Sequence, residues 1–234
     1  MPTYPLLTRT AQFLTLLAVA AFSLLMLTKV LPYLRFEKGI LFLTTKSAAT
    51  NDNGLFRLGF YVHITSSWWV MVAGLLQLVP ALYRWRPALH RLLGKVYVAS
   101  ILALAAPSGL VLALYANGGL PVKVGFSLQC VVWWLLTWQA YRAARQRRWL
   151  PHAEWMLRAY AVTLAAMSLR LESYGLYYFF HTKPIETYLT VTWLSWTGNL
   201  LLAEVLVQMG LGRWYLRAFG QQRAGTPTAK AVAG

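Results

Sequence analysis

The chain has 234 residues, 58% of them hydrophobic and only 12% charged, with 22 Lys and Arg against 6 Asp and Glu for a net charge of +16. Soluble domains carry about 25% charged residues, so a chain this poor in charge has most of its length in lipid. The positive excess is no nucleic-acid footprint. The basic residues cluster at the ends of apolar runs, and no basic helix or aromatic RNA-binding motif is present.

At roughly 20 apolar residues per span, the runs predict an all-α bundle of six transmembrane helices forming one domain over residues 1–220. The first run, 11–28, is longer than a signal-peptide core and lacks a cleavage site before Lys29, so it reads as a retained span ending near Pro32. The connection 33–58 is long for a compact bundle. Asn51-Asp52-Asn53-Gly54 marks a turn in it, and its centre, 40–45, is expected on the membrane surface. Span two is predicted at 59–82 and span three at 90–116, each with an internal proline, Pro80 and Pro107, read as a kink. Asn117-Gly118-Gly119 with Pro121 turns the chain into span four at 122–141, which holds the one cysteine. A lone Cys130 excludes an intrachain disulfide or a CxxC motif and reads as a small core residue. A basic loop ending at Pro151 precedes span five at 152–180, read as one continuous helix. Span six is placed at 188–210, and the small, polar tail 221–234 is expected to be disordered and cytoplasmic.

Six spans put both termini on one side with the loops carrying Arg84 to Lys95 and Arg142 to Arg148. That side holds 14 of the 22 basic residues, so it is expected to be the cytoplasm, with the chain in the cell inner membrane.

His90 and His152 each open a span that runs outward from the cytoplasm, so they are expected at matched depth. Both sit in a first helical turn, where the dipole favours a neutral imidazole, the form that binds metal or haem iron. The pair therefore suits bis-histidine ligation of a b-type haem; as plain interfacial caps they would have no such role. His63 belongs to a stripe of small and polar residues, Gly59, His63, Ser66, Val70, Gly74 and Gln77, suited to close approach by a helix or a flat cofactor. On a continuous helix Arg170 shares a face with His152, about five turns away. It is then expected to point inward near the outer boundary, where with His63 and Glu172 it would line a pocket for a cofactor or quinone. Glu204 is expected to be a buried carboxylate in span six, able to carry protons or bind a cation, and Asn199 to point elsewhere. His181 falls in an outer loop. No HExxH, GxSxG, Walker or GxGxxG pattern occurs, so the residues offer no support for hydrolase or nucleotide chemistry.

His63, the run His90-Arg91-Leu92-Leu93-Gly94-Lys95-Val96-Tyr97, the run His152-Ala153-Glu154-Trp155-Met156-Leu157-Arg158 and Leu169-Arg170 together resemble a bacterial family. It is the family catalogued as domain of unknown function 2306, predicted multi-pass membrane proteins. Trp193-Leu194-Ser195-Trp196 with Asn199, Leu200 and Glu204 resembles its closing segment, and the likeness covers about 59–208. It implies fold and membrane location, and no activity. More distantly, histidines on several spans are similar to those of two-haem b-type cytochromes, from which this chain departs in having its histidines near span ends.

Three functions are expected from these residues. The first is a haem-binding or redox-associated membrane protein using His90 and His152. The second is a non-enzymatic subunit or assembly factor packed against other membrane subunits. The third is a small transporter or proton conductor using Glu204, Arg170 and His63, against which the absence of internal repeats argues.

Overall fold

The structure is a computed structural model and describes residues 5–37 and 39–220. Helix α1 (Pro5–Val30) leads through two 3-10 turns (Leu31–Arg35 and Leu41–Thr45) and the one-turn α2 (Ala48–Asp52) into α3 (Gly54–Gln77). Next come α4 (Pro80–Trp85), α5 (Pro87–Ser100), a π-helical turn (Ile101–Ala105) and α6 (Ala106–Leu114). The chain continues through α7 (Gly119–Arg145), α8 (Trp149–Thr163), α9 (Ala165–Phe180), α10 (Pro184–Gln208) and α11 (Leu211–Ala218). No strand occurs among the described residues.

Four of these stretches are long and apolar enough to cross a membrane: Phe13–Arg35, Gly54–Gln77, Pro87–Leu114 and Gly119–Arg145. They coincide with predicted spans one to four. The regions of spans five and six are also helical, but α8 and α9 are interrupted between them, and α10 is diluted by Thr, Trp and Asn. The outward surface is apolar, as lipid contact requires: Phe13, Leu14 and Leu17 on α1 and Leu201, Leu202 and Val205 on α10 are all exposed.

Helices in lipid gain little from the hydrophobic effect between them and associate through packing and hydrogen bonds, which small residues permit. The stripe on α3 does this. Gly74 lies against the rings of Tyr160 and Tyr97, and Gly59 against Val111. Tyr97, Val70, Ile101, Ala159 and Val162 are the buried centre of the bundle. The face expected to admit a helix or a flat cofactor is thus filled by neighbouring helices.

Prolines shape two elements differently from the kinks expected of them. Pro80 does not bend span two; α3 stops at Gln77 and Pro80 opens α4, a position where its missing N–H costs nothing. Pro107 is preceded by the π turn, a frequent response where the backbone cannot keep its regular hydrogen bonds. Carbonyls around the turn find side-chain donors instead. The indole of Trp134 donates to Leu102 O at 3.1 Å, and His63 Nδ1 lies 2.9 Å from Ala105 O.

Span five is also not one helix. The break at Leu164 follows Thr163, whose hydroxyl donates back to the carbonyl of Ala159 at 3.1 Å, a bond that bends helices. Asn199 on α10 bridges the interruption: its Nδ2 donates to Ala161 O at 3.0 Å, and its Oδ1 accepts from Ser168 Oγ at 2.8 Å.

The connection 33–58 carries a cap over one end of the bundle. Tyr33, Leu43, Phe56 and Phe60 form a second buried cluster there. Lys46 Nζ donates to Tyr115 O at 2.7 Å and to Asn117 Oδ1 at 3.1 Å, satisfying a carbonyl at the C-terminus of α6. Burial and the neighbouring charge of Lys123 lower the pKa of this lysine. At the opposite end, Gly210 in the left-handed region (φ 93°) turns the chain into α11, a helix that the span assignment did not anticipate. The expected disordered tail, 221–234, lies outside the described residues.

Candidate functional site

The end of the bundle opposite the cap is formed by the close of α3, by α4 and the start of α5, by the loop between α7 and α8, and by α11. His90 sits in the first turn of α5 and His152 in the first turn of α8, and His152 is close enough to act on His90 electrostatically. His152 Nδ1 lies 2.9 Å from Ala140 O on α7. A carbonyl can only accept, so Nδ1 carries the proton and Nε2 presents the free lone pair. His90 Nδ1 is buried and has no hydrogen-bond partner. The backbone of His90 is held by Gln77, whose Nε2 donates to its carbonyl at 3.1 Å.

Helix α11 lies over this pair. Phe219 packs on the His90 ring at 5.6 Å between centroids, and Tyr83 meets the same ring edge to face at 5.2 Å. Tyr83 and Phe219 also touch each other, at 5.3 Å. Gly212 brings α11 onto α8, where a Cβ at that position would meet Glu154 and Leu150. Burial pushes the Tyr215 hydroxyl up to about 12.

His152, oriented by a carbonyl, and His90, with an orphaned buried nitrogen, are the two imidazoles at this end that could hold a haem iron. The ring contacts of His90 limit what can sit beside it. A flat macrocycle reaches His90 only with displacement of Phe219, whereas a compact ligand does not need it. Among the described residues no group of three or more His, Cys, Asp or Glu could hold a metal ion, so a site of that kind is not what the pair belongs to.

The predicted outer cluster takes a different form. His63 is tied to Ala105 O and lies with Cys130 against Gly109, where a Cβ would meet His63 Cε1 at 2.8 Å and Cys130 Sγ at 2.9 Å. Arg170 is exposed instead of pointing inward, and its Nη1 donates to Ala166 O one turn back at 2.7 Å. The inward placement assumed an unbroken helix from His152, and the interruption at Leu164 removes that assumption. No hydrogen bond or ion pair joins His63, Arg170 and Glu172 among the described residues, and Glu172 Oε2 is buried without a hydrogen-bond partner. His181 lies exposed just after α9.

Glu204 is not a solitary buried carboxylate. Its side chain is 42% exposed, its Oε2 accepts from Arg158 Nε at 2.7 Å, and its Oε1 accepts from Gln208 at 2.7 Å. The partner was visible in the sequence. Arg158 lies six residues beyond His152, and Glu204 lies six residues before Gly210, on antiparallel spans, which places them at equal depth.

The fold and these side chains define an all-helical, multi-pass membrane protein with a histidine pair at one end. The chain belongs to the family described as Predicted membrane protein (DUF2306), whose family model matches residues 60–207. The match runs from α3 through α10 and includes His63, His90, His152, Arg170, Glu172, Asn199 and Glu204. No curated protein and no solved structure matches the chain.

Proposed function

We propose that the protein crosses the inner membrane six times with both termini in the cytoplasm, and that His90 and His152 would together hold the iron of a b-type haem at the cytoplasmic end. The observation that carries this reading is the pairing itself. Two of the four histidines lie at one end of the bundle, near enough for His152 to act electrostatically on His90, one with Nδ1 on a carbonyl and the other with an unpartnered buried nitrogen. A haem held there supplies one-electron chemistry. The chain's own contribution is to fix the His152 tautomer through Ala140 and to anchor α5 through Gln77, with Phe219 moved off the His90 ring.

Hemin titrated into the purified protein is expected to give a Soret band that shifts on reduction with dithionite. His90→Ala and His152→Ala are each expected to abolish it, while His63→Ala retains it. A Soret band unchanged by either of the first two substitutions would refute the ligand assignment. The orientation rests on the distribution of basic residues and has its own test. A fluorescent-protein fusion after Gly220 is expected to fluoresce and an alkaline phosphatase fusion at that point to be inactive; the reverse pattern would invert the topology.

A second reading, a non-enzymatic subunit of a larger membrane complex, is favoured by α9. Arg170 is exposed there, its Nη1 donating to the carbonyl of Ala166 one turn back, beside exposed Leu171, Tyr174 and Tyr177. A charge on the outer face of a spanning helix is costly in lipid, and a partner subunit would cover it. Co-purification at fixed stoichiometry from native membranes, lost with Arg170→Leu, is the result that this reading requires. The conduction reading loses its central residue, since Glu204 is paired with Arg158 on the outside of the bundle.

A further inference from the structure

Between α7, α8 and α10 the bundle surface opens into a groove of about 510 Å³, within the range of small-molecule sites. Its apolar walls include Leu136 and Leu201, the latter 68% exposed, so the groove is open sideways to lipid. Its polar floor is the Arg158–Glu204 pair, with the Arg158 guanidinium 4.9 Å from the centre of the Trp155 ring. Glu204 lies four residues from the end of α10, about 6 Å along the axis. Glu204, the more exposed half of the pair at 42%, faces this groove among leucines, where a polar cover is favourable.

The chemistry of the floor restricts what that cover is. Arg158 uses only its Nε–H in the ion pair, and its two terminal nitrogens have no protein acceptor among the described residues. These donors call for hydrogen-bond-accepting oxygens. The carboxylate beside them cancels the charge of the guanidinium and repels phosphate, which favours a neutral head over an anionic one. The Trp155 indole gives the head an aromatic wall, and the leucine sides lead an apolar tail out into the bilayer.

We propose that this groove binds a lipid quinone, a planar head carrying carbonyl oxygens on an isoprenoid tail, with Arg158 donating to a ring carbonyl. The site is independent of the histidine pair, because neither His90 nor His152 lines the groove.

The test uses the full chain in phosphatidylcholine nanodiscs, with decyl-substituted benzoquinone as probe and quenching of tryptophan fluorescence as readout. The wild type is expected to show saturable quenching above the linear background of a quinone partitioned in lipid. The double variant Arg158→Gln/Glu204→Gln is expected to bind about tenfold more weakly or worse, as loss of a charge-assisted hydrogen bond implies. Leu201→Phe narrows the groove from its lipid-facing side without touching the ion pair, and is expected to weaken binding with the helical circular dichroism unchanged. Linear quenching of equal slope in all three proteins would overturn the proposal. So would displacement of the probe by phosphatidylglycerol, which would make a phospholipid headgroup the occupant. Loss of haem binding in His90→Ala, with quinone binding intact, would bear only on the histidine site.

Discussion

Gly74→Ala is expected to lower the unfolding free energy by about 1–3 kcal/mol, the usual cost of forcing a methyl group into a packed interior. A Cβ at residue 74 would collide with the Tyr160 ring and come within 2.9 Å of Tyr97 Cε2. Neither ring can swing away freely. Tyr97 is 0% and Tyr160 5% exposed, and the Tyr160 hydroxyl donates to Met71 O at 3.1 Å. Because α3, α5 and α8 meet at this point, the loss should appear as a lower thermal midpoint for the whole bundle in detergent, and Gly74→Val should be worse. Gly175, with nothing within 4 Å of an added Cβ, is the control and should tolerate alanine. A Gly74→Ala protein as stable as the wild type would mean that the three helices do not pack as described.

Thr163→Val is expected to cost about 2 kcal/mol, because it removes one acceptor that serves two buried donors. Thr163 Oγ1 accepts from Trp133 Nε1 at 3.0 Å, and the Tyr97 hydroxyl is 3.3 Å away. The hydroxyl proton of Thr163 is committed to Ala159 O, so both outer contacts fall on its lone pairs. Valine keeps the shape and leaves the indole and the phenol without their shared acceptor in the middle of the bundle. Thr163→Ser keeps the oxygen and should cost about 1 kcal/mol or less, for the lost methyl group. Chemical unfolding in mixed micelles, comparing the two variants, reads the difference. Equal losses would assign the effect to packing and not to hydrogen bonding.

Apolar length made the first four spans legible, because a membrane-crossing helix is defined by a property that any window of sequence displays. The stripe from Gly59 to Gln77 was legible for a similar reason: helical periodicity alone fixes which residues share a face. The outer placement of Arg170 was not. It depended on phase carried across Leu164, and no Pro or Gly marks that break. It comes with tertiary partners, the Trp133 bond to Thr163 and the bridge from Asn199, that no local pattern contains. Helix α11 could have been found, since Gly210 ends one helix and Arg213 and Arg217 repeat at the spacing of a basic, interface-lying face. The histidine pair was suggested by depth, which sequence gives well. Its lid of Phe219 and Tyr83 was not, because it depends on the direction in which the chain leaves Gly210.

The central claim, that His90 and His152 together ligate one haem, is tested most directly by low-temperature electron paramagnetic resonance of the oxidised, hemin-loaded protein. A low-spin ferric signal of bis-imidazole type, lost with either His90→Ala or His152→Ala, is the predicted result. A protein that retains no haem, or whose haem is high-spin in the wild type, would contradict it.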